Sequence, residues 1–175
     1  MSMALNFLIE GLAGRECEFS AGQTLFGLGD AVREVHFVRR GVIHLLRYRS
    51  DGAALILQRA SAGAMLAEAS VYSDTYHCDA CAPDGAVTFA VARSDLRGRL
   101  DANPQACQAL AQHLAHEVQR ARLQAEILSL KTVQARLDAW LVWNGALPPK
   151  GQWRRLAGEI GVSPEALYRE IAQRG

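Results

Sequence analysis

His36-Phe37-Val38-Arg39-Arg40-Gly41-Val42-Ile43-His44-Leu45-Leu46-Arg47-Tyr48, then Ser50-Asp51-Gly52, then Leu55-Ile56-Leu57, is the most telling stretch of this 175-residue chain. The apolar runs are of strand length and rich in β-branched and aromatic residues, and glycine interrupts them. Asp51-Gly52 readily takes the positive φ angles of a tight primed turn, so a hairpin is predicted there. Arg40-Gly41 reads as a second turn. The same texture extends outward from about residue 15 to residue 103, where Gly22, Gly27, Gly29, Gly63 and Gly85 cut further short apolar runs. Such spacing predicts an all-β sandwich or roll.

At Asn103-Pro104 the texture changes. Proline suits the first turn of a helix, and Asp101 or Asn103 is placed to cap it. No Gly or Pro follows until Gly145. A tract of about 40 residues would reach roughly 60 Å as one straight helix, and a helix that long needs a partner. Cys107, Ala111, Leu114, Val118, Ala121, Ala125, Leu128 and Thr132 recur at spacings of four and three, which is a heptad seam. Two arrangements fit. The helix packs on its own β domain, or a second apolar row (Leu110, Leu123, Ile127, Leu130, Leu137) packs there while the small-residue seam meets another copy. From Lys131 the tract restarts as a separate helix over Val133–Leu141. Asn144-Gly145 ends it, and Leu147-Pro148-Pro149-Lys150-Gly151 forms a linker.

Gln152 to Ile171 reads as a helix-turn-helix. Ala157 is small where two helices cross. Gly161 supplies a positive φ angle. Ser163 caps the second helix, and Pro164 falls at its first position. Leu156, Ile160, Val162, Leu167 and Ile171 form a small core. Glu165, Tyr168 and Arg169 lie on the first turns of the second helix, the part that enters a major groove. Arg169 has the chemistry to read guanine, and Glu165 to accept from cytosine. Arg154, Arg155 and Arg174 are candidates for phosphate contacts. A plain helical hairpin with a charged surface is the competing reading.

The whole pattern resembles the CRP/FNR superfamily of bacterial transcription regulators. The resemblance is carried by Leu25-Phe26-Gly27-Leu28-Gly29-Asp30, by His36 to Ile43, by Ala62-Gly63-Ala64-Met65-Leu66-Ala67-Glu68, by Val133-Gln134-Ala135-Arg136-Leu137 and by the helix-turn-helix. It implies an α+β chain in three parts. Residues 1–103 would be an N-terminal double-stranded β-roll of the cyclic-nucleotide-binding, jelly-roll kind. Residues 104–131 would be a long dimerisation helix, and residues 132–175 a small helix-turn-helix head without a full wing. It further implies a homodimer that binds double-stranded DNA, meets RNA polymerase and responds to a small-molecule effector. Family members that bind cyclic AMP carry Gly-Glu and, ten positions after the Glu, an Arg-Ser pair. Here Ala67-Glu68 and Cys78-Asp79 stand at those places. Loss of the arginine removes a charge-assisted clamp for the cyclic phosphate. The expected effector pocket is Ala67, Glu68, Cys78 and Asp79, and the expected effector is not cyclic AMP. The expected DNA-binding residues are Arg155, Ser163, Glu165, Tyr168 and Arg169. The expected dimer interface is Leu114, Val118, Ala121, Ala125 and Leu128.

Composition agrees with a globular protein: 50% of residues are hydrophobic and 21% charged, with a net charge of +1. The charge is uneven. Residues 1–130 hold 12 Lys+Arg against 14 Asp+Glu, and residues 131–175 hold 7 against 4, so the tail is the basic end. No run of eighteen apolar residues exists, which argues against a membrane span. The N-terminus lacks the basic region of a signal peptide, and four cysteines make no disulfide framework, so a cytoplasmic protein is expected.

Metal and haem are not expected as cofactors. In a strand, His77, Asp79 and Cys81 share one face while Tyr76, Cys78 and Ala80 share the other, so Cys78 and Cys81 would point apart, roughly 10 Å from each other. His113, His116 and Glu117 have zinc-compatible spacing but flank the seam as a solvated shoulder. Trp140, Trp143 and Trp153 are expected to pack the head. No nucleophile–base signature or phosphate loop is present, so no enzyme is expected. The alternative to a regulator is a small-molecule-binding or protein-interaction module that has lost strong DNA binding.

Overall fold

The computed structural model describes residues 7–48, 50, 52 and 54–174. Six strands form a curled antiparallel roll: β1 (Gly14–Phe19), β2 (Gln23–Phe26), β3 (Glu34–Tyr48), β4 (Ala54–Ser61), β5 (Asp79–Ala82) and β6 (Ala86–Ala92). The 15-residue β3 belongs to both layers. Its first half pairs with β6, which pairs in turn with β1. Its second half lies between β4 and β5, and β2 pairs with β5.

Arg40-Gly41 is therefore not a hairpin turn but a bend inside one strand. Gly41 does take a positive φ of 81°. A Cβ there would strike the carbonyl oxygen of Gly85 on the neighbouring segment. The pairing with β6 slips between Val38 and Arg40. An extra residue in a strand reverses which face every later side chain takes. That slip explains His36 and His44. They are eight apart, yet His36 is buried inside the roll and His44 lies half-buried on its outside. The hairpin predicted after Tyr48 is present, with Tyr48 opposite Ala54 and Gly52 at φ 81°; Asp51 of that turn lies outside the described residues.

Alternation along the strands sorts two cores. Inside the roll lie Phe26, Val38, Ile43, Leu45, Tyr76, Cys78, Ala80 and Ala82. Val35, Phe37 and Val91 face the other way, against Leu96 and Leu100 of helix α1 (Arg93–Ala102) and Ala106 and Leu110 of helix α2 (Pro104–Ser129). Helix α2 begins as predicted, with Asn103 Oδ1 accepting from the amides of Gln105 and Ala106.

By its contacts the chain divides into two compact units, Met1–Leu114 and Ala115–Gly175, so the boundary falls inside α2. The second unit contains the rest of α2, α3 (Val133–Asn144), α4 (Trp153–Glu159) and α5 (Pro164–Ala172). Its core is Ile127, Leu137, Leu156, Ala157, Ile160 and Leu167. The second apolar row of the long tract is thus shared out. Leu110 packs on the roll, whereas Leu123, Ile127 and Leu137 build the head. Thr132 does not extend the seam; it caps α3, its hydroxyl accepting from the Ala135 amide. Gly145 closes α3 at φ 81°. Among the described residues no helix is long and apolar enough to cross a membrane.

Candidate functional site

Three regions carry the residues of interest. The first is the roll segment from Ala67 to Asp79. Ala67 stands just before a 3-10 turn, Glu68–Tyr72, at φ 48° and only 3% exposed. It is the one non-glycine residue with positive φ among the described residues. An L-residue there is strained by roughly 1–2 kcal/mol, because its Cβ crowds the following carbonyl. The backbone has thus kept a shape that glycine would take freely. Cys78 is 1% exposed and shares the roll interior with Ala67. Burial pushes its thiol up; Arg47 opposes the rise, and the charges of Asp79 and Glu68 add to it. The structure does bring Ala67, Glu68, Cys78 and Asp79 into one neighbourhood.

Their chemistry is mostly taken up by the fold itself. Asp79 Oδ1 accepts from the Leu28 amide at 3.1 Å, and Asp30 Oδ2 accepts from the Gly27 amide at 2.7 Å, so two carboxylates hold the loop after β2. Arg47 Nη2 donates to the His77 carbonyl at 2.7 Å. Deeper in, Phe26 and Tyr76 stack with centroids 3.7 Å apart, and Tyr76 donates to the Glu34 carbonyl at 2.6 Å. His36 Nδ1 and Thr88 Oγ1 form a buried pair at 3.0 Å. Cys78, just before β5, is buried, and Cys81, within β5, is half-buried. Among the described residues no three His, Cys, Asp or Glu side chains come together as metal ligands.

The second region is the helix-turn-helix. Leu156, Ala157, Ile160 and Leu167 are buried between its helices. Gly161 makes the turn at φ 67°. Ser163 Oγ accepts from the Ala166 amide at 3.2 Å and Pro164 follows it, so Ser163 serves first as the cap of α5. Glu165, Tyr168 and Arg169 lie exposed on α5. Hydrogen bonds from its own amide and from Ser163 hold the Glu165 carboxyl below its usual range. Tyr168 leans on Trp153, centroids 5.3 Å apart. Arg155 pairs with Glu159 at 3.1 Å. Arg174 is bound to Asp138 at 2.7 Å and to Glu170 at 2.9 Å, tying α5 to α3. Trp140 and Trp153 pack the head, but Trp143 does not: it stays 47% exposed on the outer side of α3, beside the more exposed Val142.

The third region is the seam of α2. Val118 is 48% and Leu128 45% exposed, and Ala121 and Ala125 are exposed with them. Leu114 departs from that row, for it is half-buried against the outer core of the roll. Sequence reasoning missed one residue that the structure makes prominent. Arg136, on the first turn of α3, donates to four backbone carbonyls. Such bonds leave no periodic trace in a sequence.

A family model for the cyclic nucleotide-binding domain matches residues 16–103. No curated protein matches. Among solved structures, FixK2 from Bradyrhizobium japonicum is similar over 93% of this chain and 84% of its own, at 20% identity and a TM-score of 0.73. The c-di-GMP-responsive global regulator CLP of Xanthomonas campestris aligns over 97% and 88%, at 17% identity and a TM-score of 0.64. The catabolite activator protein of Thermus thermophilus aligns over 99% and 83%, at 21% identity and a TM-score of 0.59. At such identities the likeness establishes a shared fold: the roll, the long helix and the small helical head.

Proposed function

The chain belongs to the cyclic nucleotide-binding domain family, and from that premise we propose that it is a dimeric, DNA-binding transcriptional regulator of the CRP/FNR type. The observation that carries this reading is the head. A capped recognition helix presents Glu165, Tyr168 and Arg169 outward, while Leu167 and Ile160 are buried behind it. The exposed row Val118, Ala121, Ala125 and Leu128 supports a second copy as partner, since small residues allow helices to approach closely. Leu114 belongs to that interface at its margin. The structural relatives described as a global regulator and as a catabolite activator protein agree with this role.

The effector is a small molecule other than cyclic AMP. By the resemblance a phosphate clamp would fall on Cys78 and Asp79, and here Cys78 is buried and Asp79 is already engaged with the Leu28 amide. Burying an unpaired phosphate there is costly. No reaction is assigned to the chain.

Selection from a random duplex library, followed by a salt titration, tests the reading. The protein should enrich paired half-sites one helical turn apart, roughly 34 Å between centres. Arg169→Ala should cost about 1–3 kcal/mol at the selected site and relax one position, while Arg154→Ala should weaken all sequences alike. Val118→Glu should yield monomers by sedimentation and abolish enrichment of paired sites. If the intact protein enriches nothing, the interaction-module reading replaces this one. That second reading draws on the ion pairing of Arg155 and Arg174, which leaves fewer cations turned toward a phosphate backbone.

A further inference from the structure

The last carbonyls of a helix have no partner within it, and that end carries partial negative charge. Arg136 meets two such ends at once. At the end of α2, its Nε donates to the Leu130 carbonyl at 2.8 Å and its Nη2 to the Leu128 carbonyl at 3.1 Å. At the end of α4, its Nη1 donates to the carbonyls of Ile160 at 3.1 Å and Gly161 at 2.7 Å. One planar group therefore bridges the seam helix and the turn of the helix-turn-helix.

The same junction is closed by packing. A Cβ on Gly161 would lie 2.5 Å from Leu128 Cδ2 and 3.1 Å from Arg136 Nη1. The turn is pressed against a residue of the exposed seam row. Gln124, one helical turn before Leu128, donates to the Glu159 carbonyl. Trp140 Nε1 donates to the Glu159 carboxylate at 3.1 Å. The C-terminal half of α2 and the end of α4 are thus bonded directly, and Arg136 holds the most bonds among them.

We propose that Arg136 is a positioning residue that sets the angle of the helix-turn-helix against the seam helix, and so sets the half-site spacing that a dimer accepts. The inference rests on the DNA-binding dimer proposed above. A guanidinium fork spans several carbonyls in fixed directions, whereas a lysine ammonium is a point charge on a flexible stem. Linked heads gain roughly 10²–10⁴ in avidity only where geometry lets both engage. A loosened junction changes that geometry without touching the surface that meets DNA.

The test uses the full chain and a random duplex library, with wild type, Arg136→Lys and Arg136→Ala selected in parallel. Tryptophan fluorescence checks the head in each, since Trp140, Trp143 and Trp153 all lie there. The expected result is that wild type enriches paired half-sites at a narrow spacing. The lysine variant should keep its fluorescence and its affinity for a single half-site but accept a broad range of spacings, and the alanine variant should be broader still. The inference is overturned if both variants keep the narrow spacing. It is also overturned if the lysine variant loses single-half-site binding together with its fluorescence, because Arg136 would then only keep the head folded. If wild type enriches no sequence, the DNA-binding reading fails first and takes this inference with it.

Discussion

The roll and the head are stabilised differently. In the roll, strand pairing fixes the backbone and alternation fills two cores, one inside and one against the helices. In the head, six buried residues form a small core, and side-chain hydrogen bonds do much of the joining: Arg136, Gln124 and Trp153 donate to backbone carbonyls, and Trp140 to the Glu159 carboxylate. A regular sheet spreads its cohesion over many equivalent bonds. A small helical unit concentrates it in a few side chains, and those can be edited one at a time.

Two core truncations should separate the units most sharply. Phe37→Ala removes a fully buried ring from the outer core of the roll and should cost about 3–5 kcal/mol. Leu137→Ala should cost about 2–5 kcal/mol from the head. Far-UV circular dichroism and tryptophan fluorescence, followed together in urea, tell them apart. Phe37→Ala should leave the midpoint of the fluorescence transition in place, and Leu137→Ala should move it. Coincident transitions in both variants would mean that the two units unfold as one.

Acid should act on the roll. His36 is buried, and burial is the main reason its pKa lies below the ordinary 6.5; Glu34 opposes that shift and Arg15 adds to it. Between the depressed value and 6.5, the unfolded chain takes up a proton that the folded roll excludes. Stability is therefore full above that window and falls as pH drops through it. His44 shifts in the same direction, through partial burial and then Arg59, against Asp84. The roll should melt earlier at pH 5 than at pH 7.5 while the fluorescence transition of the head holds. His36→Phe should reduce the pH dependence of the roll.

The smallest effect should be a gain. Ala67→Gly relieves the positive φ angle and should stabilise the roll by about 1 kcal/mol, read as a higher melting temperature. A loss would mean that the Ala67 methyl contributes more by packing than it costs in strain.

Helix ends were legible in the sequence because caps are local. Asn103-Pro104, Gly145 and Ser163-Pro164 each act within three or four residues, and each does what its residue type predicts, whereas Thr132, expected in the seam, caps α3 instead. Strand limits were less legible. Gly41 satisfies a turn and a bulge equally well, and only β6 on one side and β4 and β5 on the other make it a bend within β3. Ala67, Glu68, Cys78 and Asp79, which the sequence singled out through the resemblance alone, lie close together in the roll. Yet it gave no sign that Asp79 would cap the Leu28 amide, or that Ala67 would hold a backbone shape suited to glycine. The division of the long apolar row between two cores, and the carbonyl bonds of Arg136, depend on contacts far apart in the chain.

The pairing of β1 with β6 has a consequence during synthesis. Gly14 lies opposite Val91, so β1 leaves the ribosome long before β6, the strand it pairs with, exists. At roughly 5–20 residues per second, β1 waits several seconds with its edge open. Its sequence suits the delay. Arg15, Glu16 and Glu18 place charge along the strand while Cys17 alone is buried, and charged residues on an unpaired edge discourage pairing with other nascent chains. The β3–β4 hairpin, close in sequence, can form in that interval and hold the register until β6 arrives to complete the layer.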